Sequence, residues 1–392
     1  MSETPRQGPR AGRHWPAEDE SYDDPSSGAR VRRVTSYPGV DDRHLYFTEN
    51  GWYDDGRRLL FHSDRGRSFD LFSIDLASGL LTQVTDVAGF AGDTTVDHDR
   101  EIAYFWADGQ VLGVDLATFR LTGPIYEVPA GYQPGSMDVN ADGSQLYLAI
   151  SEPVDLDDPD SRFDAVFEAA PETKILSVPI DGGEPTTLRT VGKWANSHVN
   201  ASPTRPELLS YCEEGPWARV ENRIWVLDAD SGESWSVRDV PEAGGVGHEY
   251  WMADGERLGY HGSLKDPQRR EDVPDPEPFI GSARYDDTDR IETEIPPGGT
   301  HSHSNSPELL VTDGSPDIGC SLLYRLDEDT GEYEGPRLLA THDWGPDSPH
   351  PHSRVLPDDS AVVFDSNRHE GTSDAYLVEI PDFEDLPRYD PE

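Results

Sequence analysis

Lysine is nearly absent. Three occur in 392 residues, Lys174, Lys193 and Lys265, and the rest of the 32 basic residues are arginine. Against them stand 77 acidic residues, for a formal net charge of −45. Such a charge repels itself, and high ionic strength screens the repulsion. The composition is therefore read as that of a protein working in a very salty cytosol, a halophile's. It argues against nucleic acid or an anionic membrane as partner. Cysteine is almost as scarce. Cys212 and Cys320 stand alone, in no paired spacing, which excludes a disulfide framework or a CxxC metal site. No apolar run approaches the roughly 18–20 residues of a membrane span. The polar opening "MSETPRQGPRAGRHWPAEDESYDD" has no apolar stretch of a secretory signal, so a cytoplasmic location is expected. No G-x-S-x-G elbow occurs, which argues against a serine hydrolase. Hydrophobic residues make up 34%, yet 9 Trp, 16 Tyr and 12 Phe exclude wholesale disorder. Residues 1–15 are expected to form a disordered tail, ahead of a single domain over residues 16–392.

What is present is a repeat. An Asp-rich turn, two short apolar strands, a Gly turn and a further strand recur. "DDGRRLLFHSDRGRSFDLFSIDLASGLLTQVT" begins at Asp54, and "DHDREIAYFWADGQVLGVDLATFRLTGPIYEV" begins at Asp97. Seven copies follow one another at roughly 40–50-residue spacing, the period of four-stranded propeller blades. The strands alternate apolar and polar residues between Asp, Gly, Asn and Pro, and no long segment has a helical period. The fold class expected is all-β, a seven-bladed β-propeller. The early "RVRRVTSYPG" supplies a strand without its own hairpin, which would join the last blade and close the ring. The insertions Glu152–Glu172 and Leu264–Pro278 are acidic and proline-rich and read as loops.

Four of the 13 histidines fall in register: His198, His248, His301 and His350, at intervals of 50, 53 and 49 residues. Each precedes its blade's first hairpin, in "SHVNASPTRP", "GHEYWMADG", "HSHSNSPE" and "HPHSRVLPDD". That places each at the start of an innermost strand, so all four converge on one mouth of the central channel. Imidazoles converging from separate strands are a way to build a metal site on a rigid scaffold. His352, two residues from His350, is expected to point the same way. Asp347 is a further candidate ligand, and the spacing leaves Mn²⁺, Zn²⁺ and Fe²⁺ open. Arg223, ahead of an apolar strand in "EGPWARVENRIWVLD", would bind a carboxylate bidentately if it faced the same mouth.

These residues resemble those of the oligogalacturonate lyases, pectin-degrading enzymes with a seven-bladed propeller. The likeness runs from about residue 17 to 380. "HLYFTENGWYDDGRRLLFHSDR" looks like the family's opening blade, and "YCEEGPW", "NRIW", "GHEYWMADG", "HSHSN" with "VTDG", and "HPHSRVLPDDSAVVFDSNR" look like its later signatures. The resemblance implies a Mn²⁺-dependent β-elimination on short, anionic galacturonide (uronate) oligosaccharides. It implies metal ligands at His301, His350 and His352, with Asp347 in the place of a glutamine. His248 falls on the proposed base and Arg223 on an assisting arginine. His198, and Arg65 of "HSDR", are expected to face the substrate. Glu213 stands where a histidine is expected, and the motif offset favours His301 over His303 as the ligand. The alternative is a TolB-like, non-catalytic propeller that binds a protein or peptide, which has no use for registered histidines around a channel.

Overall fold

The computed structural model describes residues 5–66, 68–155, 162–192, 195–216, 219–240, 244–265, 276–295, 299–344, 349–369 and 371–390. Seven antiparallel sheets follow one another as the blades of a propeller. The first runs from an inner strand at Asp42–His44 through Arg58–Ser63 and Asp70–Asp75 to Leu81–Gln83. The fourth, fifth and sixth begin with Ala195–Ala201, Gly245–Trp251 and Ser302–Ser306, and the seventh with Arg354–Val355.

The core is distributed. Among the described residues, seven hydrophobic clusters lie between neighbouring blades, because a twisted sheet buries its faces against the next sheet, and a small eighth, Phe47 with Tyr250 and Met252, joins the first blade to the fifth. Leu60, Leu71, Phe105 and Val114 join the first two blades, and Ile280, Leu310, Leu322 and Tyr324 join the fifth and sixth. Val34, Phe61, Phe72 and Val363 close the ring between the seventh and the first.

The expected closing strand is there. Arg30–Arg33 pairs with Asp374–Glu379 of the seventh blade, with Val31 opposite Val378 and Arg33 opposite Tyr376. A second strand, Glu20–Asp23, is added outside it. A buried ion pair, Arg33 Nη2 to Asp374 Oδ2 at 2.6 Å, ties the closing strand to the blade.

Turn chemistry repeats with the blades. Asp75, Asp228 and Asp327 each accept two backbone N–H groups from the turn that follows. Each turn ends on a glycine, Gly79, Gly232 or Gly331, with φ near +73°. This is the Gly turn of the sequence repeat, an Asx turn closed by a residue free of Cβ strain.

Two expectations are corrected. Residues 5–15 are not a loose tail: Arg10 binds Asp86 at 2.6 Å, and His14–Trp15 pairs with Leu81–Gln83 at the outer edge of the first blade. The insertion after Glu152 contains a helix, Arg162–Ala169, rather than loop alone. Most of the second insertion lies outside the described residues. Among the described residues no helix is long and apolar enough to cross a membrane.

Candidate active site

The inner strands carry a shared irregularity. In the fourth blade Ser197 faces Cys212 and Asn200 faces Ser210, so three steps on one strand match two on the other. The fifth blade repeats this between Gly247 and Tyr250, and the sixth between His303 and Ser306. Each is a one-residue bulge, which bends the strand and re-aims a side chain. The bulged residues of the fourth and fifth blades are His198 and His248, with φ of 59° and 52°. His352, ahead of the short inner strand of the seventh blade, has φ 50°. A non-glycine residue in this region costs roughly 1–2 kcal/mol, and such conformations cluster at functional sites.

His301, His350 and His352 come together, with one donor atom of each within 4.8 Å of the others. The ring centroids of His301 and His352 are 4.5 Å apart, and those of His301 and His350 are 5.5 Å apart. Asp313 fixes His301: its carboxylate accepts the His301 backbone N–H at 2.9 Å and lies 2.6 Å from Nδ1. That bond selects the tautomer with Nδ1–H and leaves the Nε2 lone pair for a ligand role. His303 takes no part. It is buried, stacks on Tyr250 at 5.0 Å, and its Nδ1 accepts the Val355 N–H. Asp347 lies outside the described residues. The convergence of His350 and His352 does not come from a shared strand face, since both precede the strand Arg354–Val355.

His248 stands against this cluster, its ring 4.3 Å from that of His301. Its Nδ1 is 2.7 Å from Nε2 of His261, a half-buried residue on the adjacent strand. Burial first, then the neighbouring His301 and His261, hold the His248 pKa well below that of free histidine. Burial likewise pushes His261 down to about 3 and lowers His350, His352 and His198. Burial thus favours the neutral form of His350 and His352, the protonation state that metal coordination requires.

Arg223 is buried beside two carboxylates, Glu214 at 3.6 Å and Glu249 at 3.6 Å. Burial opposes its charge, but Cys212, Glu249 and Glu214 outweigh that and raise its pKa. Its Nε and both Glu249 oxygens have no hydrogen-bond partner among the described residues. These are long contacts, beyond the roughly 2.7–3.2 Å of a direct hydrogen bond.

A cavity of about 1110 Å³ opens over the site, lined by His198, Glu214, His350 and His352 among others. His301, only 3% exposed, lies beneath its floor. His198 faces the cavity but not the histidine trio; its donor atom groups with Cys212 and Glu214. Arg65 is a correction. Its guanidinium, 1% exposed, is held by Glu18 at 2.7 Å and Asp42 at 2.5 Å, so it has no path to a substrate. Glu213 points away, toward Arg189 at 3.7 Å.

Several residues of the site carried no role in the sequence reading. Between His44 and Trp52 the first inner strand takes eight steps while its partner takes two, from Phe61 to Leu59. The extra segment enters the channel. Phe47, fully buried, contacts the rings of His248, His301 and His352, and Tyr46 stacks on His198 at 5.5 Å. Trp344 covers His350 at 5.0 Å. The signal was available in "HLYFTENGW", a run too long for a hairpin at that point of the repeat. Asp313 was visible only as part of "VTDG".

The sequence pattern of the oligogalacturonate lyase family matches residues 10–331. An oligogalacturonide lyase of Pectobacterium atrosepticum is 26% identical over 397 aligned positions, covering 95% of this chain and 98% of the relative. The oligogalacturonate lyase of Dickeya dadantii is 26% identical, covering 92% and 96%. A solved oligogalacturonate lyase in complex with manganese superposes with a TM-score of 0.83 at 26% identity, covering 95% of this chain and 98% of that one. A converging trio of imidazoles on a propeller matched over nearly its full length sets the chain apart from the non-catalytic propellers: it belongs to the oligogalacturonate lyase family.

Proposed function

We propose that this protein cleaves short galacturonides by metal-dependent β-elimination, giving a 4-deoxy-5-ketouronate product. The observation that carries the proposal is the convergence of His301, His350 and His352 within 4.8 Å, with a fourth imidazole, His248, packed against them. Manganese is the cation assigned, in keeping with the solved relative that holds it. The donors fit a divalent ion: burial favours neutral His350 and His352, and the Nδ1 contact of His301 with Asp313 leaves its Nε2 lone pair for a ligand role. Asp347, in the place of the family's glutamine, remains the proposed fourth ligand. When bound, the cation supplies Lewis-acid stabilisation to negative charge developing on the substrate carboxylate.

The rest is the work of the chain. The C5 proton of a uronate is weakly acidic while the adjacent carboxylate keeps its full charge. Arg223, loosely held by Glu214 and Glu249, can turn its donors to that carboxylate and share the charge. His248 takes the proton. For this its Nδ1–H must donate to His261, which leaves the lone pair on Nε2. Phe47 and Trp344 exclude water from the imidazoles and strengthen these charge interactions. The 4-oxygen then departs with the electron pair of its bond to C4. Cys212 and Cys320 form no disulfide, and we place the enzyme in the cytoplasm, acting on imported fragments.

The test is a double variant, His350→Ala with His352→Ala. Metal analysis after loading with Mn²⁺ is expected to show occupancy reduced to background, with cleavage of digalacturonate lost and the folded spectrum retained. Unchanged occupancy would refute the ligand assignment.

A further inference from the structure

The cavity poses an electrostatic difficulty. Its walls include Asp41, Asp93, Glu152 and Glu214, and the chain as a whole carries a formal charge of −45. A digalacturonate entering it brings two more negative charges. The metal and Arg223 answer one carboxylate. Nothing described so far answers the other.

Among the described lining residues there is one arginine and no lysine: Arg43. It sits in the first inner strand, Asp42–His44, exposed between two buried neighbours. Unlike Arg65 and Arg223, it has no described carboxylate within 4 Å, although its charge acts on Asp365 of the same cavity wall. Its strand borders the segment that carries two of the metal trio. The next residue, His44, has its Nε2 3.2 Å from the carbonyl of Pro351, the residue between His350 and His352. Across the strand pair Arg43 faces His62, whose ring lies 5.2 Å from that of Phe69. Phe69 is 37% exposed, and it alone of the exposed large hydrophobics, with Tyr37 and Phe163, lines the cavity. An unpaired guanidinium and an open aromatic face on one wall are the groups that recognise a uronate ring. The guanidinium takes the carboxylate in a bidentate pair, and the aromatic takes the ring's apolar face.

We propose that Arg43 and Phe69 form a second uronate subsite, which holds the sugar next to the one that loses its proton. The proposal rests on the lyase reading above for the identity of the ligand. It makes the enzyme select chains with two free carboxylates over single uronates and over methyl-esterified fragments.

Calorimetric binding to the Mn²⁺-loaded protein tests this, with His248→Ala carried in every protein to suppress turnover. The ligands are digalacturonate and its two mono-methyl esters, and in that background the proteins are wild type at both positions, Arg43→Gln and Phe69→Ala. Arg43→Gln is expected to weaken digalacturonate by about ten- to a hundredfold. One mono-ester should bind wild type and Arg43→Gln alike, already weakened by the same factor. Phe69→Ala should weaken acid and ester equally. Molar salt should narrow the gap between wild type and Arg43→Gln. Equal binding of digalacturonate by wild type and Arg43→Gln would overturn the proposal, as would an equal loss for the acid and both esters. Digalacturonate bound in this pattern but left uncleaved by Mn²⁺-loaded protein that retains His248 would refute the lyase reading while the subsite stood.

Discussion

His248 is the residue on which the chemistry turns. It touches the metal trio through His301 but belongs to none of the ligand positions. Replacing it by alanine is expected to lower kcat on digalacturonate by about 10²–10⁴-fold, the usual contribution of a positioned base, with Mn²⁺ occupancy intact. Activity within a few fold of wild type would remove it as the base. His342 offers a separate residue-scale check, on stability. It is 4% exposed, its Nε2 meets the Asp313 carbonyl at 3.1 Å, and burial pushes its pKa down to about 4. A depressed pKa means the unfolded chain binds the proton first. The contribution is therefore intact above about pH 6.5 and is lost as pH falls toward 4. Wild type should lose about 2 kcal/mol more than His342→Gln between pH 7 and pH 5 in urea unfolding. Parallel pH profiles would contradict this. At this scale the sequence was legible where chemistry recurs with the repeat: His248, His301 and His350 are spaced by one blade. It was not legible for Asp313, His261 or Trp344. Their roles arise from contacts across strands, and nothing in their local sequence announces them.

Among the elements, the inner strands matter most. A one-residue bulge recurs in successive blades and turns the imidazoles of His198 and His248 into the channel. The blade period located those histidines, but a regular pleat would have placed the side chains differently, and bulges leave no strong mark in sequence. The pairing of His350 with His352 shows the same limit. Their two-residue spacing suggests a strand face, while the fold uses a left-handed turn at His352 ahead of a short strand. The closing strand was readable, because "RVRRVTS" is a strand with no hairpin of its own. Its anchor is the Arg33–Asp374 pair, with side chains 6% and 1% exposed. Arg33→Met keeps the bulk and removes the charge, leaving Asp374 buried without Arg33. The expected loss is about 3–5 kcal/mol in denaturant unfolding, recovered in large part by adding Asp374→Leu. A loss below about 1 kcal/mol would show that the ring is held by strand pairing alone.

For the whole molecule, the propeller followed from periodicity and the surface from composition. Seven sheets packed in a ring leave one channel, and the blades with registered histidines put their inner ends at one mouth of it. The charge of −45 surrounds that mouth with a field that opposes an anionic substrate. At about 1 M salt the Debye length is about 3 Å, so only contacts inside the cavity act on the ligand. Activity is therefore expected to rise with salt concentration, with the bound metal, Arg223 and Arg43 supplying the local positive charge. One measurement reaches the central claim most directly. Mn²⁺-loaded protein is incubated with digalacturonate in molar salt, and the products are weighed by mass spectrometry. Elimination adds no water, so the two product masses should sum to that of the substrate, and cleavage should stop when the metal is chelated. Products that sum to the substrate plus one water, or no cleavage by protein of verified Mn²⁺ content, would contradict it.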